Sequence, residues 1–244
     1  MESRPANSSP RRFATTRWTL VAASAGDDTG AKQALSDLCA AYYEPVLAFL
    51  ITSGRGAEEA RDLAHEFFAR VLQSRSLGAA DPQRGRFRSY LLGAVKHFLA
   101  DQHDRNLREK RGGGLGFEPL KTEVCDQAAS GTPGLDLAEA EQAYDRKWAL
   151  TVLARALEAL QQKQASSPDR TRFEALKPWL TGEEAPRSQA EVARDLGINE
   201  GAVKVAVHRL RKQFRDEVKA EIIRTLDDLT EAQNEMHALL QALR

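Results

Sequence analysis

A chain of 244 residues, 42% hydrophobic and 29% charged, has a globular make-up and suits one large domain or two small ones. No apolar run is long enough to cross a bilayer and the start, MESRPANSSPRR, lacks a signal peptide's apolar core, while Cys39 and Cys125 have no metal-type or disulfide-type spacing; a cytoplasmic protein without a membrane partner is expected. The net charge of zero conceals two cationic blocks, Arg84–Arg111 with eight Lys/Arg against three Asp/Glu and Glu200–Arg215 with five against one, set off by acidic Gly112–Asp145 (one against seven) and Asp216–Arg244 (three against seven).

Two such blocks predict two contacts with a polyanion in place of one diffuse basic surface. In chain order, residues 1–19 read as a mobile N-terminal tail. From about Ala31, a helical stripe of Leu35, Leu38, Tyr42, Val46, Phe49 and Leu50 follows, which Pro45 is expected to kink or divide. SGRGAEE turns into a second helix with Ala60, Leu63, Ala64, Phe67, Val71 and Leu72 inward. Ser74–Arg86 reads as a loop, with Asp81-Pro82 and Gly85 as breakers. A third helix, from about Phe87 to Arg108, buries Phe87, Tyr90, Leu91, Ala94, Phe98 and Leu99. Gly112–Gly114, Gly116, Pro119 and Ser130–Gly134 mark a flexible acidic linker over residues 112–143. A second helical set begins near Tyr144 with WALTVLARALEAL and continues with TRFEALKPWL, ended by Thr181-Gly182. No segment alternates with the period of a half-buried strand. The expected fold is therefore all-α: two small helical domains, 20–111 and 144–215, joined by a flexible linker and followed by a helical extension, 216–244.

The most informative stretch is SQAEVARDLGINEGAVKVAVHRLRKQFR, Ser188–Arg215. Ser188 and Glu191 have capping-box spacing, Gly197 suits a positive-φ helix end, and Asn199 suits the N-cap of the next helix. Val203, Ala206, Val207, Leu210 and Phe214 then recur at helical spacing, leaving Lys204, His208, Arg209, Arg211, Lys212 and Arg215 outside. This pattern predicts a helix-turn-helix whose second helix fits a DNA major groove.

Taken together, these segments resemble a bacterial RNA polymerase sigma factor of the small two-domain extracytoplasmic-function (ECF) subgroup. AEEARDLAHEFFARVLQ is similar to the family's core-binding helix, FRSYLLGAVKHFLADQHDR to its promoter-melting and upstream-element helices, and Ser188–Phe214 to its final helix-turn-helix. The resemblance implies that Asp62, His65, Glu66 and Arg70 meet core RNA polymerase. It places Arg84, Arg86, Arg88, Lys96, His97, Asp101, Arg105 and Arg108 at the minus-ten element, where a melted non-template strand is held and a loop takes up an unstacked base. It places Glu200, Gly201, Lys204, Val205 and His208 against bases of the minus-thirty-five duplex, with Arg209, Arg211 and Lys212 mostly on phosphates. The partners implied are core polymerase and promoter DNA, with an anti-sigma protein or a regulatory kinase open as a further one. No cofactor is implied, and no enzymatic activity.

A helix-turn-helix repressor or activator is the competing reading, but it leaves AEEARDLAHEFF and the basic third helix without a role. A metal-dependent hydrolase using His65, Glu66, His97, Asp101, His103 and Asp104 is disfavoured, since His97 and His103 stand six apart on one helix and no HExxH pair exists. In the extension, Val218, Ile222, Ile223, Leu226, Leu229, Met236, Leu239 and Leu240 form a stripe that must be buried, with Asp228 and Glu231 suited to starting a separate last helix. Packing on its own domain is expected, against the alternative of a cover over a DNA- or polymerase-binding surface.

Overall fold

A computed structural model describes residues 29–73, 87–110, 137–165, 169–181, 187–226 and 231–244. Every regular element among them is a helix, as the sequence pattern predicts. The first, α1 (Thr29–Thr52), runs unbroken through Pro45. The proline removes one i→i−4 hydrogen bond. Tyr42, Val46, Phe49 and Leu50, none more than 1% exposed, anchor the helix on both sides of it, so the expected division does not occur. Gly54, at φ 84°, closes α1: its N–H donates to the Ile51 carbonyl at 3.0 Å and the Arg55 N–H to that of Leu50 at 3.3 Å, the paired bonds of a Schellman cap.

Helix α2 (Ala57–Gln73) folds back along α1 and buries Ala60, Ala64, Phe67, Phe68 and Val71. Leu72, expected inside, is 49% exposed, because it lies a further 100° round the helix from Val71 while the core takes Phe68 in its place. Helix α3 (Phe87–Lys110) buries Phe87, Leu91, Ala94, Val95, Phe98 and Leu99. Phe67 meets Phe98 at 5.6 Å between centroids, and Tyr42 meets Phe87 edge-on at 5.1 Å.

Helix α4 (Leu137–Ala165) begins inside the stretch expected to be linker, where LAEAEQA is made of strong helix formers. Residues 112–136 of that stretch lie outside the described residues. Its buried positions Ala140, Tyr144, Trp148, Val152, Ala156 and Leu160 follow one another at every fourth residue and make one continuous stripe. Two short helices come next, α5 (Arg170–Leu176) and α6 (Pro178–Thr181), split from one expected helix because Pro178 has no N–H to continue the ladder. Then come α7 (Gln189–Asp195), α8 (Glu200–Ile223) and α9 (Ala232–Ala242), the separate final helix that the extension's pattern suggests.

The apolar interior forms two clusters. The larger joins α1, α2 and α3 to the first five turns of α4, to Val218 and Ile222 of α8, and to Ala232 and Leu239 of α9. The smaller gathers Leu160, Phe173, Leu176, Val192, Ala193, Val203, Ala206, Val207 and Leu210. Helices α4 and α8 each contribute to both, and Lys163 of α4 pairs with Glu217 of α8 between them. In the extension Val218, Ile222, Leu226 and Leu239 are thus buried, with Ile223 and Met236 packed against the same core, while Leu240 is 55% exposed; Asp228 and Leu229 lie outside the described residues.

Candidate functional site

The α7–α8 unit is built by local bonds that its sequence announces. Ser188 Oγ accepts from the Glu191 N–H at 3.2 Å, and Glu191 returns a carboxylate oxygen to the Ser188 N–H at 2.6 Å, completing the capping box. That backbone N–H, with the Ser188 hydroxyl, holds the Glu191 carboxyl below its ordinary pKa. Gly197 takes φ 63°, and the N–H groups of Gly197 and Ile198 satisfy the carbonyls of Arg194 and Ala193. Asn199 Oδ1 accepts from the Ala202 N–H at 2.7 Å and opens α8. A Cβ at Gly197 would meet nothing within 4 Å, so only the backbone angle opposes a side chain there. Gly197→Ala is expected to destabilise the protein by about 1 kcal/mol, read by urea unfolding; an unchanged midpoint would show that φ exerts no hold.

Opposite the inward row Val203, Ala206, Val207 and Leu210, the outer face of α8 exposes Glu200, Gly201, Lys204, Val205, His208, Arg209, Arg211 and Lys212. All eight residues expected at the minus-thirty-five duplex therefore share one solvent-facing surface. Val205, half exposed, is an apolar spot among the cations. Arg211 is partly committed within the fold: its Nη2 and Nε donate to the Trp179 carbonyl at 3.2 and 3.4 Å, tying α8 to α6.

On α2, Asp62, His65 and Glu66 are exposed on one face. His65 stacks on Tyr43 of α1 at 5.5 Å, its Nε2 3.0 Å from the Tyr43 hydroxyl. Glu66 accepts from Gln102 Nε2 of α3 at 2.8 Å and pairs with Arg70. Arg70, 15% exposed, lies with its guanidinium 5.0 Å over the Phe98 ring. It orients Glu66 more than it presents a charge of its own. Tyr43 and Gln102 carried no signal in their own segments, because their parts depend on which helix lies beside them.

The minus-ten set divides. Arg84 and Arg86 lie outside the described residues, and Arg108 belongs to the last turns of α3. Asp101 is exposed, with His97 and Arg105 half-buried at four-residue spacing beside it on α3. Lys96 pairs with Glu141 of α4. Arg88, 12% exposed, points into the junction of α3, α4 and α9. Its Nε and Nη2 donate to the two carboxylate oxygens of Glu235 at 3.2 and 3.3 Å, its Nη1 pairs with Asp145, and its guanidinium lies 4.6 Å over the Trp148 ring. Burial alone would lower the guanidinium pKa; the Glu235 and Asp145 carboxylates outweigh it and raise the pKa above its ordinary value. Tyr144 donates its hydroxyl to the Arg88 carbonyl at 3.1 Å, and burial holds that hydroxyl protonated well beyond the phenolic range. Sequence reading did not single out Asp145, Glu141 or Glu235. Their acidic blocks were visible as charge, but their targets were not.

Among the described residues no group of His, Cys, Asp and Glu could hold a metal ion. No described helix is long and apolar enough to cross a membrane. Burial pushes the Cys39 thiol up to about 12, so it carries little thiolate at neutral pH. A family model described as ECF sigma factor matches residues 19–220, from ahead of α1 to the last turn of α8, leaving α9 beyond the match. No curated protein and no solved structure matches the chain. The match spans well over half of the sequence and agrees with an exposed acidic α2 and a capped two-helix unit with a cationic outer face; the chain belongs to the ECF sigma factor family.

Proposed function

We propose that this sigma factor divides its work among three helices: α2 docks on core RNA polymerase through Asp62, His65 and Glu66; α3 with the segment before it holds the melted minus-ten strand; α8 reads the minus-thirty-five duplex. Members of the family bind core polymerase and promoter DNA and direct initiation at chosen promoters. The observation that carries the residue assignment is the outer face of α8, where Lys204, His208, Arg209, Arg211 and Lys212 are exposed together above a buried rear. The two ends of that face have different chemistry. Its N-terminal turns enter the groove and can reach base edges, whereas its later arginines and lysine lie along the phosphates. The protein performs no covalent chemistry: it supplies binding energy for duplex recognition and for keeping bases unstacked.

Run-off transcription with core polymerase tests the whole reading; a defined start site that depends on this chain is the expected result, and none would reject it. The α8 assignment is tested on a duplex that the holoenzyme selects from a random pool, beside a scrambled one. Lys204→Ala is expected to cost about 1–3 kcal/mol on the selected duplex and little on the other. Arg211→Ala should weaken both alike. Equal losses for Lys204→Ala on every sequence would remove it from the base-reading set.

A further inference from the structure

We propose that α9 is a built-in competitor for α3: Glu235, with Asp145 of α4, occupies the Arg88 guanidinium in the position that a nucleic-acid phosphate would otherwise take. The inference rests on the reading of α3 as the minus-ten helix. Arg88 and Glu235 lie 147 residues apart in sequence and meet through two parallel N–H···O contacts, the fork-on-fork geometry by which arginine binds carboxylate and phosphate alike. Asp145 takes the third edge and Trp148 the face, so the guanidinium is engaged on all sides at 12% exposure. Lys96, two turns along the same helix, is likewise matched by a carboxylate of α4, Glu141. Two cations of α3, Arg88 and Lys96, are thus answered within the chain by acids from the two blocks that offset its charge.

Two considerations make this a competitor and not simply a brace. Burying an arginine with carboxylates returns little net stability, because desolvation cancels much of the attraction; a purely structural contact would be served as well by apolar side chains. Glu235 is only 2% exposed, in a helix otherwise held by Ala232, Leu239 and Met236. Helix α9 also lies beyond residues 19–220, the stretch that matches the family. If the closed arrangement dominates, DNA affinity falls to its intrinsic value multiplied by the fraction of molecules in which Arg88 is free.

The test uses full-length protein and a fluorescein-labelled single-stranded oligonucleotide of mixed sequence, read by anisotropy. Glu235→Gln keeps the shape and removes the charge. It is expected to tighten binding roughly 3- to 10-fold and to speed amide exchange in α9 with the far-UV spectrum unchanged. Adding Arg88→Gln should abolish the gain, and Asp145→Asn should reproduce part of it. Glu58→Gln, the same charge change on the exposed start of α2, should give none. Unchanged or weaker binding by Glu235→Gln overturns the proposal, as does an equal gain in Glu58→Gln or one that survives Arg88→Gln. Failure of the sigma-factor reading would show separately, as absent run-off transcript from the wild-type chain.

Discussion

Trp148→Ala is expected to lower the stability of the whole molecule by roughly 3–5 kcal/mol, as one cooperative transition. The indole is 2% exposed and sits in the α4 stripe between Tyr144 and Val152. It supports the Arg88 guanidinium from below and lines a small cavity with Leu38, Tyr42 and Glu221, so its loss is felt by α1, α3 and α8 together. Removing it takes away a large apolar surface and leaves a cavity that four helices cannot close without shifting. Guanidinium unfolding followed by circular dichroism and by intrinsic fluorescence measures this. Should the two probes separate, with one part of the chain unaffected, the junction would be a loose contact and not a shared core.

The second large effect is expected at α2. Asp62→Lys combined with Glu66→Lys should weaken binding to core polymerase at least about 100-fold, roughly 3 kcal/mol, with most of the loss in the dissociation rate. Both carboxylates are exposed, so reversing them leaves the apolar interior untouched, and stability should fall only by what the Glu66–Arg70 and Glu66–Gln102 contacts contribute, about 1 kcal/mol. Glu66 is the more consequential of the two. Arg70 and Gln102 hold its carboxylate in one orientation, so it would meet a cationic partner with little side-chain freedom left to lose. Surface plasmon resonance against immobilised core enzyme gives both rates, and a pair of curves overlaying wild type would move the docking surface elsewhere.

What could be read from the sequence follows the range of the interactions involved. Ser188, Glu191, Gly197 and Asn199 act on backbone groups within four residues, and each does in the structure what its type and spacing predict. The stripes of α2, α3 and α8 were legible for the same reason. The errors at Pro45 and Leu72 come from the partner side: Pro45 is tolerated because its neighbours are clamped by other helices, and Leu72 is left out because Phe68 fills the core. The run LAEAEQA was read with the glycines before it, although its own composition favours a helix. For the candidate site, the cations of α3 and α8 were identifiable one by one. That Arg88 is shared by Glu235 and Asp145, or that Lys96 meets Glu141, depends on a packing in three dimensions that no local spacing encodes.

Helix α8 is 24 residues long, a rod of about 36 Å, and its two ends belong to different neighbourhoods. The forward end shows Lys204 and His208 to solvent; the rear end is wedged in the larger core by Val218 and Ile222. The helix runs between them without a break. A displacement of the rear would therefore carry the forward end with it, so that a change beside Glu217 or Glu221 would reach Lys204, a dozen or more positions away, through the backbone alone. The face that we propose reads the promoter is thus carried on the same rod as a part of the larger core, with Phe214 packed against both apolar clusters between the two ends.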